Sequence, residues 1–312
     1  MSKLLVFGHQ NPDTDTIASA IALSYLLNEI SIEAEAVALG KPNAETTHVL
    51  DYFRVDQPRI IKTAADETDS VVLVDHNEKQ QSVSDLSEVS IKGVIDHHRI
   101  ANFETSDPLY YRAEPVGCTA TILLKIFKEY EVAIPNQIAG LMLSAIVSDT
   151  LLLKSPTCTS EDVRAAEELA EIVGVSLDEY GLEMLKAGTD ITSKTPEEIL
   201  NDDAKTFPMG NETVRIGQVN VVDIEDILVR KKEILETMQQ ETKENDYDLY
   251  VLLVTDIIES NSVAIVDGPA YRQFEMAFEK PLQLNTVDLQ GVVSRKKQVV
   301  PPLTNAFKKK NK

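Results

Sequence analysis

The sequence has no tryptophan, only two cysteines and no long apolar run. A transmembrane helix needs about 20 mostly apolar residues, so we expect no membrane span and no membrane partner. Cys118 and Cys158 cannot form a disulfide framework and are expected to be small packing residues. The first residues lead directly into a strand pattern, without the apolar segment of a signal peptide. These absences predict a cytoplasmic protein.

Positive charge is also scarce. The chain has 30 Lys and Arg residues against 51 Asp and Glu residues, which gives a net charge of -21. Nucleic acid is therefore not an expected partner, because affinity for phosphate chains depends on clustered Lys and Arg. A base-stacking platform is not indicated either, since aromatic residues make up only 5% of the chain. A phosphate ligand would need bound metal ions and local lysines to supply positive charge.

Short apolar runs alternate with helical patterns over roughly the first 190 residues, which is typical of a parallel sheet in an α/β protein. The predicted strands are 3–8, 34–39, 71–74 and 93–95, and the predicted helices are 16–30, 118–130, one that has Pro135 in its first turn, and 162–173. Gly174 is expected to end the last of these helices. The fold class is therefore α/β, with a parallel-sheet N-terminal domain at residues 1–188.

A small, polar and unpatterned segment at 189–194 is the predicted linker. Thr195, Pro196 and Glu198 have the pattern of a new helix start. A smaller α/β C-terminal domain is predicted at 195–312, with strands at 213–222 and 249–256 and a charged helix at 225–243. The apolar residues on either side of Arg295 predict a structured strand edge there.

Carboxylates and imidazoles follow three of the predicted strands. The three clusters are residues 9–15, 75–77 and 96–98, and together they contain four of the five histidines. Ligands of open α/β sheets bind at the carboxyl ends of the strands. A single Asp in such a place usually caps a helix or turn, but three clusters together predict one shared site. His48 and His76 are expected to be structural.

The ligand types predict a pair of divalent metal ions. Carboxylate and imidazole ligands without a thiolate favour Mn²⁺, Mg²⁺ or Co²⁺ over a structural zinc. Two adjacent metal ions need a bridging carboxylate, and Asp75 is well placed to provide it. The predicted ligands are His9, Asp13, Asp15, Asp75, His97 and, after the apolar run 141–147, Asp149. Metal-assisted hydrolysis is the leading hypothesis.

The Asp96-His97-His98 triplet, with HQNPDTD at residues 9–15 and a lone strand-end Asp between them, resembles the DHH phosphoesterase superfamily. Within it, essentially the whole chain is similar to family II, manganese-dependent inorganic pyrophosphatases. The similarity includes SRKKQVVPP at 294–302, where other superfamily members have a glycine-rich motif that ends in His. No inserted nucleotide-sensing regulatory domain is present in the sequence.

The resemblance implies a role for each residue of the site. One metal would be held by His9, Asp13, Asp75 and Asp149, and the other by Asp15, Asp75, His97 and Asp149. The shared Asp75 and Asp149, with His98 as proton donor near the leaving oxygen, would form the catalytic set. Phosphate would be bound by His98 and, from the second domain, by Lys205, Arg295 and Lys296.

The resemblance also implies two Mn²⁺ ions per subunit, a homodimer formed through the first domain's sheet, and closure of the two domains over substrate. Co²⁺ is an alternative to Mn²⁺ at these two sites, and Mg²⁺ is possible as an ion that arrives with the substrate.

The predicted reaction is the hydrolysis of diphosphate to two phosphates. The metal pair would lower the pKa of a bridging water, and the resulting hydroxide would attack phosphorus in line, without a covalent phosphoenzyme. Four aspartates and two divalent ions roughly cancel in charge, so the substrate needs further cations such as Arg. The alternatives are an exopolyphosphatase, a nuclease for very short oligonucleotides, and a non-catalytic metal- or nucleotide-binding regulator.

Overall fold

The computed structural model describes residues 3–189, 191, 193–201 and 203–310. The chain divides into two compact units, Met1–Gly188 and Thr189–Lys312. Asp190 and Thr192 of the predicted linker lie outside the described residues. Also outside them are Met1 and Ser2 of the first predicted domain and Asp202, Asn311 and Lys312 of the second. Among the described residues, no helix has the length and apolar character that a membrane span requires.

The first unit is built on a five-stranded parallel sheet with the order β2-β1-β3-β4-β5. Its strands are β1 (Leu4–Phe7), β2 (Ala34–Ala36), β3 (Ser70–Val74), β4 (Ser90–Asp96) and β5 (Tyr110–Ala113). Helices cover a parallel sheet on both faces, so its central strands are apolar, and residues 71–74 of β3 are all buried. The parallel sheet confirms the predicted fold class for this part of the chain.

Six helices accompany this sheet: α1 (Thr14–Glu29), α2 (Ala44–Phe53), α3 (Thr119–Glu129), α4 (Asn136–Asp149), α5 (Ser160–Val173) and α6 (Leu177–Gly188). α1 begins two residues before its predicted start because Asp13 is its N-cap and accepts a hydrogen bond from the Thr16 backbone N–H at 2.9 Å. Pro135 precedes α4 as its N-cap, so its predicted place in the first turn is wrong by one residue. Gly174 ends α5 in the left-handed conformation, with φ of 79°.

The second unit contains a mixed sheet with the order β10-β9-β8-β7-β6. Its strands are β6 (Ala204–Met209), β7 (Glu212–Val221), β8 (Leu249–Asp256), β9 (Asn261–Asp267) and β10 (Thr286–Leu289). Only β7 and β8 are parallel, and the other neighbours pair antiparallel. Its helices are α7 (Pro196–Asn201), α8 (Glu225–Leu228), α9 (Lys231–Glu244), α10 (Tyr271–Phe278) and α11 (Val300–Lys310).

Two expectations for the second unit were wrong. The charged helix predicted at 225–243 is interrupted, so that α8 ends at Leu228 and α9 begins at Lys231. The segment around Arg295 is not a strand edge but a π-helical turn, Arg295–Val299, which continues into α11. Pro301 and Pro302 are the second and third residues of α11, directly after this turn.

Candidate metal centre

The predicted ligands of the first unit lie in the turn before α1, at the start of α1, and at the ends of β3, β4 and α4. His9 and Asp13 lie between β1 and α1, and Asp15 is in the first turn of α1. Asp75 follows β3 with a left-handed φ of 59°, a conformation that Asp tolerates better than most residues. His97 follows β4, and Asp149 is the last residue of α4. The site is therefore formed where parallel strands and one helix end together.

One group of ligand atoms surrounds the His9 side chain. His9 Nε2 lies 3.4 Å from Asp13 Oδ2 and 3.4 Å from Asp75 Oδ2. The other oxygen of Asp13, Oδ1, accepts the capping hydrogen bond at the start of α1. The cap therefore fixes the Asp13 carboxylate with Oδ2 directed at the histidine.

A second group surrounds His97. Its Nε2 lies 3.3 Å from Asp75 Oδ1, 3.7 Å from Asp149 Oδ2 and 4.0 Å from Asp15 Oδ2. The two oxygens of Asp75 thus face different histidines, with Oδ2 near His9 and Oδ1 near His97. A carboxylate that presents one oxygen to each of two ligand groups has the geometry of a bridge between two cations.

His98 lies beside these groups and is more exposed. Its Nδ1 is 3.0 Å from Asp96 Oδ1 and 3.5 Å from Asp75 Oδ1. The hydrogen bond to Asp96 raises the pKa of His98, although burial acts in the opposite direction. Asn77 donates to the other Asp96 oxygen at 2.6 Å, which holds Asp96 in place. The hydrogen bond to Asp96 therefore fixes His98 at the edge of the site and favours its protonated form.

Neutral donors hold the buried carboxylates, and the sequence analysis missed them. Thr16 Oγ1 donates to Asp75 Oδ2 at 2.7 Å, and Thr119 Oγ1 donates to Asp75 Oδ1 at 3.2 Å. Asp15 accepts from Ser19 Oγ at 2.7 Å and from the Thr119 backbone N–H at 2.8 Å. Hydroxyl residues at helix starts are common, so nothing in their sequence positions distinguishes these three from ordinary helix residues.

The protonation pattern shows that the site needs positive charge. Burial and the nearby Asp75 carboxylate raise the pKa of Asp15 to about 7, and burial with the Asp15 carboxylate raises that of Asp149 well above its usual value. Burial favours the neutral imidazole, but the neighbouring carboxylates outweigh burial and raise the pKa of His9 to about 11 and that of His97 to about 9. Although burial opposes it, the hydrogen bonds from these histidines lower the pKa of Asp75.

The donor set fits divalent cations. Three groups of side chains bring their ligand atoms within 4.8 Å of one another; they are His9, Asp13 and Asp75; Asp15, His97 and Asp149; and Asp75, His97 and His98. Among the described residues, the ion pairs of Asp13, Asp15, Asp75 and Asp149 are all with histidines. Oxygen and imidazole ligands of this kind suit Mn²⁺, Co²⁺ or Mg²⁺.

A cavity of about 440 Å³ opens onto these side chains. Its walls include Asp13, Asp75, His97, His98, Asp149 and Thr157. A small anion could therefore approach a pair of cations from this side, next to His98.

The predicted phosphate-binding residues belong to the second unit. Lys205, on β6, and Lys296, in the π-helical turn, are exposed. Arg295 is buried, and its Nη2 donates to Asp203 Oδ1 at 2.8 Å while Nη1 donates to the Ile216 carbonyl at 3.3 Å. The two lysines are thus accessible to an anion, whereas the Arg295 guanidinium is bound by groups of its own unit.

The two remaining histidines have protein partners. His76 is buried, and its Nδ1 donates to the Val74 carbonyl at 2.9 Å. Burial lowers the pKa of His76, so the ring is neutral. His48 Nε2 lies 3.7 Å from Glu183 Oε1, away from the ligand groups.

Comparisons with known proteins agree with this geometry. The description "DHH family, N-terminal domain" matches residues 3–146, and "DHHA2 domain" matches residues 182–306. The chain is 58% identical to the "Manganese-dependent inorganic pyrophosphatase" of Bacillus subtilis, over 98% of this chain and 99% of the relative. It is 60% identical to the "Probable manganese-dependent inorganic pyrophosphatase" of Shouchella clausii, with the same coverage.

A solved structure has the same fold. The crystal structure of a "putative family II inorganic pyrophosphatase" from Methanococcus jannaschii is 42% identical in sequence, with a TM-score of 0.63. The alignment covers 97% of this chain and 99% of that protein. The likeness therefore extends over both units of the chain.

The raised histidine pKa values predict proton release when divalent cations bind. With pKa values of about 11 and about 9, His9 and His97 are protonated at pH 7 in the ion-free protein, but each must be neutral to coordinate a metal. Mn²⁺ affinity should therefore rise as the pH increases toward about 9. Calorimetric titration with Mn²⁺ at pH 7, in buffers of different ionisation heat, should show more than one proton released per protein chain. His48→Gln should release the same number, and a binding heat that is independent of the buffer would contradict the assignment.

Proposed function

Because this chain belongs to the family of manganese-dependent inorganic pyrophosphatases, with its DHH and DHHA2 domains, we propose that it hydrolyses diphosphate to two phosphates. The observation that carries the proposal is the Asp75 carboxylate, whose two oxygens face His9 and His97. A pair of cations held on either side of one carboxylate is the arrangement that phosphoryl hydrolysis by two metal ions requires.

The ligands divide into two sets around Asp75. His9 and Asp13 would hold one Mn²⁺ ion, and Asp15 and His97 the other, with Asp75 and Asp149 shared between them. When bound, the two ions would supply Lewis acidity that makes a water molecule acidic enough to attack phosphorus in line. Co²⁺ fits the same ligands, and Mg²⁺ fits as the ion that accompanies the substrate.

His98 is the proposed proton donor for the leaving phosphate oxygen. The hydrogen bond to Asp96 raises the pKa of His98, which favours the protonated imidazole that a proton donor requires. It lines the cavity that opens onto the ligands, so a substrate bound there would be within its reach.

Cations of the second unit are the proposed phosphate-binding groups. Four aspartates balance two divalent ions in charge, so the negative charge of the substrate remains to be neutralised. The exposed Lys205 and Lys296 suit this role, while Arg295 would have to give up its hydrogen bonds to Asp203. Closure of the second unit, with residues 189–194 as the hinge, would bring these cations to the substrate and exclude water.

A homodimer through the first unit's sheet is the proposed assembly, and the cytoplasm is the proposed location. Among the described residues, β5 is an edge strand of its sheet and pairs with β4 alone. An unpaired edge is a template for a strand of another chain. Tyr110 on this strand is 50% exposed and lines an apolar groove with Ile32 and Tyr130. A second copy that pairs with the same edge would cover both features.

An exopolyphosphatase is the second candidate activity. The fold alone would allow it, but the relatives that match the whole chain at 58–60% identity have pyrophosphatase names. Phosphate release from diphosphate, compared with release from polyphosphate and from a dinucleotide, separates these activities. Preference for polyphosphate or the dinucleotide would overturn the proposal, and no turnover of any of them would indicate a non-catalytic regulator.

The bridging role of Asp75 predicts a large loss of activity on substitution. Removing groups that merely orient metal ligands costs about 10–100-fold in activity or metal affinity, so Asp75→Asn should reduce Mn²⁺-dependent phosphate release by more than about 100-fold. Asp51→Asn, at an exposed position of α2, is the matched control and should retain full activity. Phosphate release from diphosphate is measured with Mn²⁺, with and without chelator. Near-normal turnover by Asp75→Asn would refute the ligand assignment.

Loss of a phosphate-binding lysine should affect substrate use but not the metals. A hydrogen bond to a charged group contributes about 1.5–3 kcal/mol, so Lys296→Ala should lower kcat/KM by about 10–100-fold. Its Mn²⁺ affinity should match the wild type, because the metal ligands belong to the first unit. Lys232→Ala removes a lysine whose side chain is 91% exposed on α9 and should change neither quantity. Loss of Mn²⁺ binding in Lys296→Ala would show that the proposed roles of the two units are wrong.

Disruption of the β5 edge should separate the subunits. A lysine on an edge strand opposes pairing with another strand, so Tyr110→Lys should convert a dimer to a monomer in sedimentation velocity experiments. Tyr271→Lys, at a similarly exposed tyrosine of the second unit (40% exposed), should remain dimeric. A dimeric Tyr110→Lys variant would place the subunit interface elsewhere.

A further inference from the structure

A partly buried glutamate joins two chain segments that end in metal ligands. Glu45 is the second residue of α2, and its Oε1 accepts hydrogen bonds from Thr14 Oγ1 at 2.6 Å and from Ser148 Oγ at 2.6 Å. Thr14 directly follows Asp13, and Ser148 directly precedes Asp149. One oxygen therefore connects the start of α1 with the end of α4 at the two positions next to predicted ligands.

The two ligands come from different groups of the site. Asp13 lies in the group around His9, whereas Asp149 lies in the group around His97. Asp75 connects these groups on the inner side, where it contacts both histidines. Glu45, from α2, connects the hydroxyl groups of the two residues next to Asp13 and Asp149. The distance between the two ligand groups is thus restrained by two carboxylates, only one of which would touch the metal ions.

The place of Glu45 is also restricted by α6. A Cβ atom added to Gly188 would lie 2.7 Å from Glu45 Cβ and 3.0 Å from Glu45 Oε2. Side chains do not approach each other so closely, so only glycine at position 188 leaves room for the glutamate in this position. The end of α6 therefore packs directly against the stem of Glu45.

The Glu45 carboxylate accepts both of these hydrogen bonds on one oxygen. Burial raises the pKa of Glu45, and the hydrogen bonds from Ser148 and Thr14 act in the opposite direction. Thr14 is fully buried and has one further partner, the Thr46 hydroxyl at 3.0 Å. The geometry points to Glu45 as a positioning residue, which sets the separation of Asp13 and Asp149 for a pair of metal ions. This inference rests on the proposed function.

The test measures Mn²⁺ binding apart from catalysis. Glu45→Ala should weaken binding of at least one Mn²⁺ ion by about 10–100-fold, the usual effect of removing a group that orients metal ligands. Binding is measured by electron paramagnetic resonance of free Mn²⁺, and the unfolding temperature is measured without metal. Glu183→Ala is the matched control, since this glutamate lies on α6, which also packs against α2, and its Oε1 lies 3.7 Å from His48 Nε2. Unchanged Mn²⁺ affinity in Glu45→Ala would overturn the inference.

A double-substitution cycle tests the bridge itself. Ser148→Ala should weaken Mn²⁺ binding in the wild-type background but add little in the Glu45→Ala background, because the hydroxyl has then already lost its acceptor. Equal effects of Ser148→Ala in both backgrounds would contradict a bridge. If Glu45→Ala does not fold, Ser148→Ala and Thr14→Val remove single donors and test the same connection.

The Gly188→Ala substitution tests the position of Glu45 without changing its hydrogen-bonding partners. The added methyl group should displace the glutamate and weaken Mn²⁺ binding while every hydrogen-bonding group remains present. Normal Mn²⁺ affinity in this variant would show that the position of Glu45 does not govern the site. Wild-type protein that binds no Mn²⁺ or does not hydrolyse diphosphate would instead refute the proposed function. The two failures are therefore distinguishable.

Discussion

The structure of the first unit depends on holding four aspartates close together at one edge of its sheet. Like charges at such distances repel strongly where water is excluded, and Asp15 and Asp75 are both buried. Within the described part of the chain, the ion pairs that offset this repulsion are with histidines. Two imidazoles lie between the carboxylates, and the first backbone N–H groups of α3 point at Asp15, where a helix N-terminus favours negative charge. Some negative charge remains uncompensated, and bound metal ions would neutralise it.

The two units contribute opposite chemistry. The first offers acceptors, which attract cations, and the second offers exposed lysines, which attract anions. Arg295 differs from these lysines because Asp203 neutralises its charge and Gln218 fixes its backbone N–H at 3.0 Å. A phosphate that recruits Arg295 must therefore compete with a carboxylate already in place, whereas Lys296 requires no such exchange. Arg295 and Lys296, neighbours in one turn, thus differ in how readily each could bind the phosphate of the proposed substrate.

The sequence predicted which of the proposed ligands follow the buried strands. Asp75 and His97 follow buried β-strands, so their approach to each other is a consequence of the parallel sheet. The supporting groups could not be predicted, because Thr119 and Asp75 are far apart in sequence and only the packing of α3 brings the hydroxyl to the carboxylate. Glu45 was missed for the same reason. The turn at Arg295 was misjudged because its flanking valines fit a strand as well as a helix.

The proposed ligands would also connect metal binding with folding. They come from β1, β3, β4, α1 and α4, so the unfolded chain cannot offer them to one pair of ions. Ions that bind only the folded unit stabilise it, by about 2.7 kcal/mol at a concentration 100 times the dissociation constant. Protons on His9 and His97 provide a partial substitute, because they reduce the same repulsion. In the ion-free protein, protons on His9 and His97 therefore take the place of metal ions. Protons and metal ions compete for these histidines, and a lower pH favours the protons.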